Sequence, residues 1–179
     1  MENNKLETAT FAGGCFWCTE AVFKRIKGVE RVLPGYTGGE VKNPCYREVA
    51  MGLTNHAEAI QIKYNPALIS YQQLLAVFFA THDPTTLNRQ ANDVGKHYRS
   101  AIFYHNDKQY EIAKRVIKEL NATIYNHKIV TELTLAKPFY NAESEHVDYY
   151  DLNKEQPYCQ AIINPKINLL LTRFKSVLK

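Results

Sequence analysis

Ala9-Thr10-Phe11-Ala12-Gly13-Gly14-Cys15-Phe16-Trp17-Cys18-Thr19-Glu20 is the stretch from which the rest of the chain is read. Its first part is a short strand-like run. Its last part begins a helical run that is expected to reach Lys27, with Lys24, Arg25 and Lys27 in the last turn and Gly28 after them. Two glycines lie at the handover and let the backbone turn tightly. Cys15 is therefore expected at a helix N-terminus, where the dipole and unpaired amide donors favour an anion. A free thiol with a pKa of about 8.5 is only partly ionised at neutral pH, and such a setting favours the attacking thiolate. Cys15 is thus a candidate nucleophile, with Phe16 and Trp17 as apolar walls.

Working outward, Val29–Leu33 reads as a short strand and Pro34–Gly39 as a loop. Tyr46–Met51 reads as extended. His56–Tyr64 is a strand with Ile60, Ile62 and Tyr64 on one face. Ser70 and Gln73 form a capping-box pattern before a helix that stops at His82-Asp83-Pro84. Thr85–Tyr98 reads as a long polar loop, a type that is often functional. Ser100–Tyr104 is a strand. Through Tyr104 the order is β-α-β-β-α-β. This predicts an α+β fold, a ferredoxin-like split βαβ plait, or two-layer sandwich, with an antiparallel sheet and helices on one face. Asn106 caps a third helix, Ile129–Leu135 is a further strand, and Pro138–Asn153 is irregular to short-helical. Asn164-Pro165 opens a final amphipathic helix. No linker divides the chain, so residues 1–179 are expected to form a single catalytic domain with a C-terminal extension from about 138.

The totals narrow the classes. The chain has 179 residues and a net charge of +4. Its Lys and Arg are scattered, so no nucleic-acid partner is expected. No apolar run approaches the ~18 residues of a membrane span. The opening Met1–Lys5 is polar and lacks a basic-then-apolar signal. A cytoplasmic location is expected, and there four cysteines point to catalysis, redox work or metal rather than structural disulfides. Nothing in the sequence demands an oligomer, so a monomer is expected.

Cys15-x-x-Cys18 fits a redox pair, half of a zinc site, or two unrelated cysteines. For zinc, the other ligands would be Cys45, Cys159 or a histidine such as His146. Glu58 is in phase with the buried isoleucines. It is either a strand-end carboxylate in solvent or a buried acid with raised pKa, suited to donating a proton at neutral pH. Asp93 fits a turn before Gly95. Tyr46 and Tyr98 fit either core tyrosines or phenols that donate to a substrate oxygen.

Gly14-Cys15-Phe16-Trp17 with Glu20 resembles the signature of the peptide methionine sulfoxide reductases, A type. Gly35-Tyr36-Thr37-Gly38-Gly39, Asn43-Pro44-x-Tyr46, His56-Ala57-Glu58, His82-Asp83-Pro84-Thr85, Asn88-Arg89-Gln90, Asp93-Val94-Gly95, Tyr98-Arg99-Ser100, Val130-Thr131-Glu132 and Phe139-Tyr140-x-Ala142-Glu143 follow in the family's order, over roughly residues 8–150. The resemblance implies reduction of methionine S-sulfoxide, free or in proteins, and so repair of oxidised proteins. On it, Cys15 attacks the sulfoxide sulfur and becomes a sulfenic acid. Glu58 protonates the oxygen, Tyr46 and Tyr98 hydrogen-bond it, and Asp93 organises the site. Phe16 and Trp17 receive the methyl group. A second cysteine then forms a disulfide that thioredoxin, an external reductant, reduces. No bound cofactor and no metal are implied. Cys159 matches the usual resolving position, with Cys18 as the alternative. Cys18 stands where glycine is common, Cys45 where threonine is usual, and Asn55 where glycine is common. Glu145 and Val147 flank His146 in place of the frequent tyrosine and glutamine.

Overall fold

The chain is described here by a computed structural model covering residues 5–179, so Met1–Asn4 of the polar opening lie outside the described residues. Strand β1, Glu7–Gly13, reaches Gly14 (φ +92°) and hands over to helix α1, Phe16–Phe23. A Cβ on Gly14 would sit 2.7 Å from Gln90 Cγ, so the position needs glycine for space as well as for its dihedral.

Strands β2 (Val29–Thr37) and β3 (Ala57–Tyr64) follow, with helix α2 (Tyr46–Ala50) between them. Helix α3 spans Tyr71–Ala80. A two-stranded ribbon, β4 (Arg89–Gln90) with β5 (Asp93–Val94), leads into β6, Ser100–Tyr104. Helix α4 (Asp107–Thr123), strands β7 (Glu132–Leu135) and β8 (Tyr140–Asn141), and helices α5 (Tyr149–Leu152) and α6 (Asn164–Arg173) complete the order. The main sheet runs β7-β6-β1-β3-β2-β8. Every neighbouring pair is antiparallel except β6 with β7. The architecture is a mixed α/β fold.

Strand alternation sorts the side chains. Phe11, Glu58, Ile60, Ile62 and Ile102 point toward the helices, where Phe16, Phe23, Leu74, Phe78, Ala113 and Leu170 join the main core. Ala12, Ala57, Ala59, Ala101 and Phe103 face the other way, against Ala136 and Phe139.

Several boundaries differ from expectation. Helix α1 stops at Phe23, because Arg25 and Ile26 close tighter bonds to Val22 and Phe23 and Gly28 (φ +86°) turns the chain. The Lys24 and Arg25 side chains pair instead with Asp148 and Asp151. The expected Pro34–Gly39 loop is strand as far as Thr37. Pro34 supplies only its carbonyl, which accepts from the Ala142 N–H at 2.9 Å. Tyr46–Ala50 is helical rather than extended. Glu48 accepts the Cys45 N–H at 2.9 Å, half of a capping box with cysteine at the cap. The long loop carries the β4–β5 ribbon and a 3-10 turn, Lys96–Tyr98. Helical backbone precedes Asn164, because Cys159–Ile163 form a π-helical turn.

Candidate active site

The β1–α1 handover puts Cys15 at the cap of α1, where its carbonyl accepts the Cys18 N–H at 3.0 Å. Across from it, Glu58 of β3 accepts the Phe16 N–H at 3.3 Å. Glu58 is 2% exposed. Loss of water pushes its pKa up to about 8, with Asp93 and Cys18 adding to the rise and the Phe16 amide opposing it. Of the two readings of this carboxylate, burial selects the proton-holding one.

The Cys15 thiol corrects the expectation of a ready thiolate. Burial, the hydrogen bond to Cys18 and the nearby Glu58 charge hold its pKa well above the usual thiol value, and only the Trp17 amide opposes them. One helix start does not outweigh the loss of water at a sealed sulfur. Cys18 moves the other way, to about 7, chiefly through the hydrogen bond from Cys15, with Lys166 and Tyr158 assisting. The two thiols titrate as a pair rather than as separate groups.

Tyr46 begins α2 and Tyr98 ends the 3-10 turn. Both phenols are raised by burial and by the same neighbours, Glu58, Cys15 and Asp93, so both remain hydrogen-bond donors at neutral pH. Asp93 accepts the Tyr158 hydroxyl at 2.6 Å, and Tyr158 Oη lies 3.6 Å from Cys18 Sγ. Phe16 is fully enclosed, with ring centres 5.7 Å from Tyr36 and 5.3 Å from His146. Trp17 stacks on Tyr149 at 3.6 Å and donates its indole N–H to His146 Nδ1 at 3.1 Å.

Cys159 is buried, its pKa raised by burial and by the Cys18 charge, and it lies in the π-helical turn. Cys45 is exposed. Among the described residues, Glu143, Glu145 and His146 alone bring three metal-type donors together. Trp17 occupies the Nδ1 lone pair of His146, so Nε2 carries the hydrogen and has no lone pair for an ion. That Nε2 is buried without a partner. No cysteine belongs to the group, so the zinc reading finds no donor set there.

A family model described as peptide methionine sulfoxide reductase matches residues 7–177. The peptide methionine sulfoxide reductase MsrA of Saccharolobus solfataricus is 51% identical over 174 residues, covering 97% of this chain and 98% of that protein. Mxr1 from Saccharomyces cerevisiae in reduced form superposes with a TM-score of 0.80 at 34% identity, over 88% of this chain and 91% of Mxr1. A structure of Mxr1 in complex with Trx2 gives 0.57 at 28% identity, over 83% and 87%.

The chain belongs to the peptide methionine sulfoxide reductases, A type. Members are peptide-methionine (S)-S-oxide reductases, oxidoreductases that work through thiols with thioredoxin as reductant. The sequence assigned no role at this site to several residues around it. Tyr158 was visible only as the neighbour of Cys159, yet it joins Asp93 to Cys18. Glu143 accepts the Tyr36 hydroxyl at 3.1 Å and the Tyr46 N–H at 3.2 Å, which ties β2 to α2. His146 and Tyr149 frame Trp17. None has a periodicity or spacing that marks it, because each acts across more than sixty residues of chain. Among the described residues, no helix is long and apolar enough to cross a membrane.

Proposed function

We propose that the chain reduces methionine S-sulfoxide, free or in proteins, with Cys15 as nucleophile and Glu58 as the acid. The burial of Glu58 beside the start of α1 carries this reading, because a sulfoxide oxygen leaves sulfur only once protonated. Cys15 attacks the sulfoxide sulfur as its thiolate. Glu58 protonates the oxygen, and Tyr46 and Tyr98 donate to it as charge develops. Asp93 organises the site through Tyr158. Phe16 and Trp17 hold the methyl group. The oxygen ends on Cys15 as a sulfenic acid, and methionine departs two electrons richer. A second cysteine, Cys159 by family position, condenses with Cys15–SOH, releasing water and forming a disulfide. A thioredoxin dithiol then reduces that disulfide. Capture of the relative Mxr1 with Trx2 supports the reductant.

The four strands β6-β1-β3-β2 are mutually antiparallel in that order, which supports the split βαβ plait. We read residues 1–179 as a single catalytic domain with an extension from about 138, a cytoplasmic monomer.

The test is one turnover without reductant. Fully reduced protein mixed with methionine S-sulfoxide yields about one methionine per chain and loses a pair of thiols. No methionine from the folded, reduced chain overturns the reading.

A further inference from the structure

We propose that Arg99 is a positioning residue for the reaction, holding the Tyr98 hydroxyl in register with Glu58 on the sulfoxide oxygen. The proposal rests on the reading of Tyr98 and Glu58 given above. It adds the residue through which the donor and the acid are set against each other.

Arg99 follows Tyr98 directly and is 6% exposed. Each of its three side-chain nitrogens donates to a different segment of the chain. Nη1 donates to the Lys96 carbonyl at 3.0 Å, Nη2 to the Asn55 carbonyl at 3.1 Å, and Nε to Glu132 Oε2 at 3.2 Å. The first bond closes the 3-10 turn that ends in Tyr98, and the same Lys96 carbonyl also accepts the Arg99 backbone N–H at 3.2 Å. The second reaches the loop that enters β3 just ahead of Glu58. The third fixes the guanidinium from β7, the edge strand of the main sheet.

This seam suits a planar fork. A guanidinium presents fixed, coplanar N–H groups to acceptors on separate segments, whereas an ammonium is a single point of charge. Asn55 has φ +57°, and its Oδ1 accepts Lys96 Nζ at 3.4 Å, a second tie across the same seam. Gly38 leaves the space that the fork needs. A Cβ there would lie 2.8 Å from Arg99 Nη2.

The chemistry depends on that seam. A phenol stabilises the developing charge only when its hydrogen is aimed at the oxygen, and a displacement of about 1 Å can cost on the order of 10²-fold. Tyr98 is only partly buried and sits on a three-residue turn. Arg99 ties that turn to the approach of the strand that carries Glu58. It acts through Tyr98 rather than on the oxygen itself.

A buried guanidinium also holds the fold together, and a double-mutant cycle separates that role from positioning. Reduced full-length protein is mixed with methionine S-sulfoxide over a range of concentrations, and methionine formed in one turnover is timed. Arg99→Lys keeps the charge and loses the fork. It should lower the maximal rate about 10–100-fold and move the half-saturating concentration by less than about threefold. Beside Tyr98→Phe the same substitution should cost less than about twofold, because the phenol it positions is gone. If Arg99→Lys does not fold, Glu132→Ala decides, since that side chain is 47% exposed on an edge strand. It should slow the maximal rate about two- to fivefold, the scale of a partly exposed ion pair, and add nothing beside Tyr98→Phe. Equal factors in the two backgrounds, or no loss in the single variant, overturn the proposal and leave the reductase reading intact. An unchanged rate in Tyr98→Phe alone removes the phenol from the chemistry and Arg99 with it. Absence of methionine from the unsubstituted chain overturns both readings.

Discussion

Glu58, beside the start of α1, and Glu20, within that same short helix, are both buried, and both carboxyls are pushed toward neutrality. Each is 2% exposed, and loss of water is the main cause for each, to about 8 for Glu58 and about 7 for Glu20. Their surroundings differ. Glu58 shares its space with two thiols, two phenols and Asp93, and only the Phe16 amide holds it. Glu20 faces the C-terminal segment. Its Oε1 accepts the Asp148 N–H at 2.9 Å, its Oε2 is sealed without a partner, and Lys24 stands nearby. A raised carboxyl pKa therefore does not by itself mark chemistry. What the proton can be handed to decides whether a buried acid donates it or keeps it.

The comparison breaks first at Glu58. Replacement of this acid in Glu58→Gln should slow single-turnover methionine formation by about 10²–10⁴-fold, the usual range for a general acid. Wild-type turnover should rise as the thiol pair ionises near pH 7 and fall as Glu58 loses its proton near pH 8. The variant should lose the alkaline fall, and a rate within threefold of wild type, on the order of half a kcal/mol in barrier, would remove Glu58 from the chemistry.

Glu20 sharpens the contrast through stability. Its folded pKa lies above the ordinary carboxyl value, so the native state holds the proton more tightly than the unfolded chain does. That contribution is complete below the ordinary carboxyl range and is lost as pH rises through about 7. Glu20→Gln cannot lose it and keeps an acceptor for the Asp148 amide. Urea melts should therefore match wild type in acid and show a higher midpoint for the variant in mild alkali, with turnover preserved. A matching loss of turnover would erase the distinction between the two acids.

The smallest effect is at the rim of Glu20. Lys24 pairs with Asp148 and Asp151 at partly exposed positions. Lys24→Ala should cost under about 1 kcal/mol, less in high salt. It should also move the Glu20 transition to higher pH, since the ammonium favours the carboxylate.

The sequence made the sheet-borne half of the site legible. Alternation around Ile60 and Ile62 put Glu58 on the helix face, and the paired glycines put Cys15 at the start of α1. Ser70 and Asn106 cap their helices as their spacings predict. Other features were hidden for physical reasons. Tyr46–Ala50 has a strand-like pattern, but the Glu48 cap makes it helix. The raised Cys15 thiol was hidden because helix position is local, whereas burial and the second sulfur belong to the folded chain. Tyr158 and His146 reach the site only by tertiary packing.

Trp17 meets His146 across 129 residues, and Cys18 meets Tyr158 across 140. At about 5–20 residues per second, a ribosome delivers the second member of each pair on the order of ten seconds after the first. Cys15, the proposed nucleophile, is thus made long before its frame. A nascent chain carries Cys15 without the wall behind Trp17 and without Cys159. The walls around Cys15 belong to the finished molecule, and during synthesis this cysteine stands without them.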